Sequence, residues 1–384
     1  MIIEISGMKY FIIAGEASGD LHASHLIASV RAQDSAACFV GFGGDKMRAA
    51  GCSIRVDYRD MAYMGVIAVL RNVRSIHRNF RIAYSALLEE RPDVLILVDY
   101  PSFNLRVAAY CRKHLPKTRV VYYIPPKAWA WKSWRVHKIA RYSDKILGIF
   151  PFEPAFYARY GYKCEYVGNP TADCIRERRQ QKEVQAEASV AGDGRPIIAL
   201  LPGSRRSEVS HCLPVMLEAA RRVAGEEYRI VVAAAPGLED SFYARYVGDE
   251  TLTRDTYDLL HAARAAVVNS GTATLETALL GCPQTAVYYI ACSRWLEWLI
   301  RPILFRIPHF TLVNILARRT VIQELIAKRF RTEEVERELR KLVSDSDYRT
   351  TMLEGYADIE RILGSHPASD TAARAIVSLG DSLA

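Results

Sequence analysis

An unbroken apolar run that stops at a Pro-Gly-Ser turn, Ile197–Leu201 followed by Pro202-Gly203-Ser204-Arg205-Arg206-Ser207-Glu208, constrains this chain more than any other stretch. The run does not alternate, so the strand it forms is buried on both faces, as in a parallel sheet. From Glu208 onward a helical pattern starts, with Val209, Leu213, Met216, Leu217 and Ala220 at helical spacing. A helix that opens directly after a strand offers unpaired N–H groups and the positive end of its dipole to an anion. Gly203 lets a phosphate approach the backbone, and Arg205 can grip it bidentately. An ordinary βα turn with two solvated arginines explains the same residues, so this motif does not decide alone.

The N-terminal half follows the same plan. Tyr10–Ala14 reads as a buried strand, Gly15-Glu16-Ala17-Ser18-Gly19-Asp20 as a loop, and about 21–31 as a helix. The glycines are spaced GxxxG, so the dinucleotide fingerprint is not met. Glu16, Ser18 and Asp20 suit either a sugar's hydroxyls or helix capping. Cys38–Val40 leads into a second glycine-rich loop, Gly41-Phe42-Gly43-Gly44-Asp45. Val94–Val98 ends in Asp99, which places a carboxylate in the crevice beyond the strand ends, where ligands of open α/β sheets bind. In partly dry surroundings its pKa rises and it can take a proton from a hydroxyl; a loop-capping aspartate is the competing reading. Val120–Ile124 is followed by Pro125-Pro126-Lys127-Ala128-Trp129-Ala130-Trp131-Lys132, a rigid aromatic wall. Lys145–Ile149 and Glu165–Val167 add short strands, with Phe152, Phe156 and Tyr157 between them as core.

Polar, aromatic-poor Arg176–Arg195 reads as an interdomain linker. It separates an N-terminal domain (1–175) from a second domain (196–355) and a helical tail (356–384). In the second domain Ile197–Leu201, Arg229–Ala234, Ala265–Asn269 and Gln284–Tyr289 are the expected strands. Asn269-Ser270-Gly271-Thr272-Ala273-Thr274-Leu275-Glu276 repeats the strand–turn–helix plan, with Gly281 closing the helix. Gly271 and Thr272 can present N–H groups to a diphosphate, and Glu276 can reach a ribose's hydroxyls. Capping by Ser270 or Thr272, with Glu276 solvated, is the alternative. Two phosphate-friendly turns in one domain carry more weight than either alone.

The chain has 384 residues, half of them hydrophobic (50%), and a formal charge of +8, so it is globular and suits anionic partners. Its eight cysteines form no CxxC pair or zinc-like grouping, and no DxD-like carboxylate pair stands ready for a divalent ion. No basic leader precedes the first strand, and no apolar run nears the roughly 20 residues that span a bilayer. The expectation is a cytosolic protein able to lie against a membrane. Val66, Val69, Val73, Ile76, Phe80 and Tyr84, widened by Ile67 and Leu70, face Arg71, Arg74, Arg78 and Arg81 across one amphipathic helix. Trp295 and Trp298, set among Leu296, Leu299, Ile300 and Arg294, Arg301 and Arg306, make a second candidate membrane contact. A helix packed on its own sheet, and an aromatic-rich interface, are the respective alternatives.

Taken together, AGEASGD (14–20), GFGG (41–44), MAYMG (61–65), VDYPSFN (98–104), KAWAWK (127–132), PFE (151–153), VGNP (167–170), LLPGSRRSEV (200–209) and SGTATLE (270–276) resemble the lipid-A-disaccharide synthase family. The resemblance covers almost the whole chain. It implies an α/β, GT-B-like fold: two Rossmann-like domains with parallel sheets facing a cleft and C-terminal helices returning to the N-terminal side. It also implies a homodimer with exchanged C-terminal parts, attached peripherally to the inner membrane. Asp99 matches the family's essential aspartate and Arg205 its essential arginine, while Glu16 and Ser18 match the GEASGD loop. Asn314, within Phe310–Leu316, matches an asparagine of the family's PNLL segment. The family pattern has Ser-Pro where this chain has Pro125-Pro126, which puts a hydroxyl contact from that loop in doubt.

The implied reaction transfers 2,3-diacylglucosamine from UDP to the 6-hydroxyl of 2,3-diacylglucosamine 1-phosphate, inverting to a β-1′,6 bond, with no cofactor, metal or nucleic acid. Asp99 is the expected base, with Glu16 second, and Arg205 the group that takes up leaving-group charge. UDP is expected at Gly203, Ser204, Arg205, Glu208, Ser270, Gly271, Thr272 and Glu276, and the acceptor at Ser18, Gly19, Asp99 and Asn314. A UDP-N-acetylglucosamine 2-epimerase shares the architecture and is the nearest rival. A basic nucleic-acid-binding protein and a dinucleotide oxidoreductase fit less well, for want of a nucleic-acid module and of the glycine fingerprint.

Overall fold

The computed structural model describes residues 7–61, 73–129, 133–184, 194–289 and 309–381. They form two compact units, residues 1–173 with 363–384 and residues 174–362. In chain order the first unit contains β1 (Lys9–Ala14), α1 (Ala17–Gln33), β2 (Cys38–Gly43), α2 (Asp45–Ala49), β3 (Cys52–Asp57), α3 (Val73–Glu90) and β4 (Val94–Val98). It continues with α4 (Pro101–His114), β5 (Arg119–Tyr123), α5 (Arg135–Tyr142), β6 (Lys145–Gly148), α6 (Glu153–Ala158) and β7 (Glu165–Tyr166). The helix α7 (Pro170–Val184) spans the boundary.

The second unit holds β8 (Ile197–Leu201), α8 (Arg206–Ala224), β9 (Arg229–Ala233), α9 (Asp240–Tyr243), β10 (Thr251–Thr253), α10 (Thr256–Ala262) and β11 (Ala263–Asn269). There follow α11 (Thr272–Leu279), β12 (Gln284–Tyr288), α12 (Leu312–Ala317), β13 (Gln323–Ile326), α13 (Thr332–Ser344) and α14 (Ser346–Leu363). A last helix, α15 (Ala368–Asp381), belongs to the first unit.

Both sheets are wholly parallel, with orders β3-β2-β1-β4-β5-β6-β7 and β10-β9-β8-β11-β12-β13. Each is doubly wound, and each reverses direction between its two central strands, at β1/β4 and at β8/β11. Ligands of such sheets bind outside the carboxyl ends of the strands at that reversal. The central strands β1, β4 and β8 are apolar and inaccessible along nearly their whole length, as the non-alternating runs require. Phe11, Ile13, Leu95, Leu97, Val120 and Tyr122 anchor the first core; Ile197, Ala199, Val231, Ala266 and Val268 anchor the second.

Several elements differ from the sequence reading. The Gly41–Gly43 stretch is not a crevice loop but the end of β2, where backbones approach too closely for any side chain at Gly41. Gly44 alone makes the turn into α2. The helix α1 begins at Ala17, taking in most of the GEASGD segment. Arg176–Val184, read as the start of a linker, is helical, because arginine, glutamine, lysine and glutamate are good helix formers. The short strands β3, β10 and β13 escaped notice because they sit at sheet edges with mixed polar sequence. Gly281 has φ of +75° after α11, as the helix-closing role demands.

The terminal helix α15 packs on α1 and buries Ala368, Ala372, Ala373 and Ile376. Ser29 Oγ donates to Asp370 Oδ1 at 2.6 Å, and Lys145 Nζ donates to the Ala375 carbonyl at 3.2 Å. The returning C-terminal helix is thus part of the N-terminal core.

Candidate functional site

In the first unit the chain after β4 makes a left-handed turn on two non-glycine residues, Asp99 (φ 44°) and Tyr100 (φ 46°). Such backbone is disfavoured and persists only where the surroundings enforce it. Asn104 Nδ2, fully buried, donates to the carbonyls of Val98 (3.2 Å) and Asp99 (2.8 Å). Tyr122 OH donates to the Asp99 carbonyl at 2.7 Å, and Asp99 N donates to Ile124 O at 3.1 Å. Tyr100 OH reaches the Met61 carbonyl at 2.6 Å, and its ring lies where any side chain at Gly15 would be. The Asp99 backbone is therefore fixed at the β1/β4 reversal, and the residue itself is exposed there. Surrounding protein raises its pKa, while Lys127 and Arg135 pull it back toward the ionised form. Asn104 and Tyr122 were missed as site residues in the sequence, although Asn104 stands in the same VDYPSFN motif.

Glu16 is the N-cap of α1 and makes no side-chain cap, and Ser18 is exposed on the first turn beside it. Gly19, expected on the acceptor side, is buried, and a Cβ there would lie 3.3 Å from Ala14 Cβ, so it packs α1 closely on β1. Asp20 caps a different helix from its own. Its Oδ1 accepts from Gly44 N (2.6 Å) and Met47 N (3.2 Å), and its Oδ2 accepts from Lys46 N (3.1 Å), closing the N-terminus of α2. Lys127 follows β5 on the same edge, and its charge acts on Asp99, Glu153 and Glu16.

In the second unit the turns after β8 and β11 lie side by side, because Leu201 pairs with Val268 in adjacent strands. Gly203 has φ of +120°, and a Cβ there would lie 2.6 Å from Glu208 Oε2 and 2.7 Å from Asn269 Nδ2. Glu208 Oε2 accepts from Ser204 N (2.9 Å) and Arg205 N (3.3 Å), and Glu208 Oε1 accepts from the exposed Arg205 guanidinium (3.2 Å). This corrects the expectation of waiting N–H donors: the turn does hold an anion, and that anion is its own glutamate. A phosphate takes these donors only by displacing the Glu208 carboxylate.

The second turn is different. Ser270 N donates to Val287 O at 2.8 Å, Gly271 is exposed in extended backbone, and α11 starts at Thr272 with no side chain capping it. The alternative of a cap by Ser270 or Thr272 is therefore not realised. Space above Gly271 is open to at least 4 Å. Glu276, one turn on, is half-buried with its pKa raised by burial, and among the described residues its carboxylate has no hydrogen-bond or ion-pair partner. It can accept from a ribose's hydroxyls, which ionised carboxylates bind well.

Asn314 is also corrected. It is buried, its Nδ2 donates to Ile322 O and Glu324 Oε1 (2.9 Å each), and its Oδ1 accepts from Val321 N (2.8 Å) and Ile322 N (3.0 Å). All four hydrogen-bonding positions are spent on the fold, which leaves none for an acceptor. The expected membrane residues Val66, Val69, Leu70, Trp295 and Trp298 lie outside the described residues; Val73 opens α3. Among the described residues no group of three His, Cys, Asp or Glu is placed to hold a metal ion, and no helix is long and apolar enough to cross a membrane.

A family model described as lipid-A-disaccharide synthetase matches residues 10–373. The lipid-A-disaccharide synthase of Trichlorobacter lovleyi is 38% identical over 378 residues, covering 97% of each chain. That of Geobacter sulfurreducens is 34% identical over 384 residues, covering 98% of each. The chain belongs to the lipid-A-disaccharide synthase family. Among solved structures, a Listeria monocytogenes protein described as a UDP-N-acetylglucosamine 2-epimerase superposes with a TM-score of 0.69 at 11% identity, covering 99% of this chain and 98% of that one. The calicheamicin glycosyltransferase CalG4 gives 0.57 at 15% identity, covering 98% of each. Likeness at that level shows the fold alone, and the two-domain GT-B fold of this lipid-A-disaccharide synthase family member is the one expected from its sequence. Family membership also makes the chain a glycosyltransferase of lipid A biosynthesis.

Proposed function

We propose that the chain transfers 2,3-diacylglucosamine from UDP to the 6-hydroxyl of 2,3-diacylglucosamine 1-phosphate, with inversion and without a metal. One observation carries the reading: the enforced left-handed turn that presents Asp99 at the sheet reversal of the first unit. Strain of this kind is kept where a side chain must be aimed. A carboxyl whose pKa is lifted by its surroundings, with Lys127 and Arg135 moderating the rise, is suited to accept a hydroxyl proton. The acceptor oxygen then bonds to the sugar's anomeric carbon as the carbon–oxygen bond to UDP breaks. The proton goes to Asp99 and the electron pair leaves on the diphosphate. Arg205 and the uncapped N–H groups of α11 supply positive charge to that leaving group, and Glu276 takes the ribose. Glu16 and Ser18 line the acceptor side.

Acylated substrates favour attachment to a membrane surface, and the first unit has a face suited to it. The helices α3, α4 and α5 pack side by side and expose His77, Arg78, Arg81, Arg106, Lys113, Lys138 and Arg141. Their only acidic residues are Glu89 and Glu90 at the end of α3, and Trp134 beside α5 is 55% exposed. A homodimer working at the inner face of the inner membrane completes the reading.

The decisive experiment incubates the purified protein with both diacylated substrates, with and without EDTA. Disaccharide 1-phosphate and UDP should form at equal rates in both. No disaccharide, with epimerisation of UDP-N-acetylglucosamine instead, would overturn the reading in favour of the epimerases that share the fold. Loss of turnover in EDTA, restored by a divalent ion, would overturn its metal-free part.

A further inference from the structure

Glu153 is the most deeply buried carboxylate near the first half-site, at 1% exposure, and the reaction as written does not use it. It opens α6, and its Oε2 accepts from Ile149 N (2.8 Å) and Phe150 N (3.0 Å) at the end of β6. Its other oxygen, Oε1, accepts from Trp129 Nε1 at 3.2 Å. Trp129, six residues after β5, meets Phe150 and Phe152 edge-on, with centroids 5.8 and 5.0 Å apart. Within that loop Pro125 and Pro126 restrict the backbone, and Ala128 N turns back to Pro126 O at 2.5 Å. Lys127 thus sits on a short stiff segment pinned at its far end by one buried carboxyl group.

We propose that Glu153 is a positioning residue for glycosyl transfer: through Trp129 it anchors the loop that holds Lys127 at the Asp99 end of the sheet, three residues beyond Ile124, whose carbonyl accepts from Asp99 N. The inference rests on the reading of Asp99 as the base. Charged and titratable groups around the three residues are few. Asp99 is faced by Lys127, Arg135 and the Tyr122 hydroxyl, Lys127 by Asp99, Glu153 and Glu16, and Glu153 by Lys127, Tyr157 and Cys164. Lys127 favours the ionised Asp99; a loop released from Glu153 lets the ammonium withdraw, and the Asp99 carboxyl then holds its proton to higher pH.

The test is the acid limb of the pH profile of kcat/KM, measured for Glu153→Gln, Trp129→Phe, Lys127→Met and the double variant Glu153→Gln/Lys127→Met. Each single variant should move the limb upward, by about one pH unit, the low end of what a nearby opposite charge does to a carboxyl. The double variant should move it no further than Lys127→Met alone, because both changes act on one interaction. Should Glu153→Gln fail to fold, Trp129→Phe breaks the same tether without removing the buried carboxylate. An unmoved limb with uniformly lower activity, or a shift that adds to that of Lys127→Met, would overturn the proposal and leave Glu153 a residue of stability only. Asp99→Asn separates this failure from the other: a variant that still turns over refutes the base itself.

Discussion

Burial of an acid without a cation in contact makes stability depend on pH, and Glu153 is the clearest case. Burial outweighs three N–H donors and pushes its pKa from 4.5 up to about 7. Between those values the folded chain keeps a proton that the unfolded chain has lost. The group's contribution is therefore fully present below about pH 4.5 and is lost as pH rises through about 7, a change of about 3 kcal/mol. Glu153→Gln cannot ionise. Its melting temperature should fall furthest below that of the wild type near pH 5, and the difference should shrink by several degrees near pH 8. A difference that is the same at both would show that Glu153 does not titrate in this range. A second prediction at this scale concerns Gly203. Alanine there needs φ of +120° and meets Glu208 Oε2 at 2.6 Å, so Gly203→Ala should destabilise the second unit by about 1–3 kcal/mol and weaken UDP binding. Unchanged UDP affinity in calorimetry would remove this turn from the nucleotide site.

At the scale of elements, what could be read in advance was what lies within one strand–turn–helix. Buried strands, the turns after β4, β8 and β11, and the end of α11 at Gly281 all follow from contiguous residues. What could not be read were side chains that serve an element far away in sequence. Asp20 looks like a cap for α1 and instead caps α2, 24 residues on, by accepting from Gly44 N. Asn314 resembles a ligand-facing residue, yet binds the backbone of Val321 and Ile322. Glu208 sits inside the very motif that suggested a phosphate and occupies its donors. Loss of the Asp20 carboxylate should therefore act on α2: Asp20→Ala should cost about 1–2 kcal/mol, with hydrogen exchange rising at Gly44–Met47 and not along α1. The terminal helix gives a firmer case. Ile376 on α15 is wholly buried within the first unit, so Ile376→Ala should lower that unit's stability by about 2–5 kcal/mol. Protection lost across 174–362 instead would contradict the assignment of α15 to the N-terminal core.

At the scale of the whole molecule, alternating strands and helices announce parallel sheets, but not which strands stand at the centre. That order, the same in both units but for a seventh strand in the first, is what brings Gly15 beside Asp99 and Leu201 beside Val268. Asp99 belongs to the first unit and Arg205, Gly271 and Glu276 to the second, so in the proposed reading proton transfer and donor binding fall to different units. Binding and chemistry should therefore be separable by mutation. A ligand that binds only the folded state stabilises it by about 2.7 kcal/mol at a hundredfold excess over its Kd. Saturating UDP should raise the melting temperature of wild type and Asp99→Asn equally, although Asp99→Asn makes no disaccharide. Arg205→Ala should lose most of the UDP-dependent rise and most of the turnover together, since in the proposed reading the guanidinium binds the diphosphate in both the ground state and the transition state. A UDP-dependent rise that vanishes in Asp99→Asn would show that the nucleotide needs the first unit's carboxylate. The two half-sites would then not divide donor binding from proton transfer, and Asp99 would have to be given a place at the diphosphate.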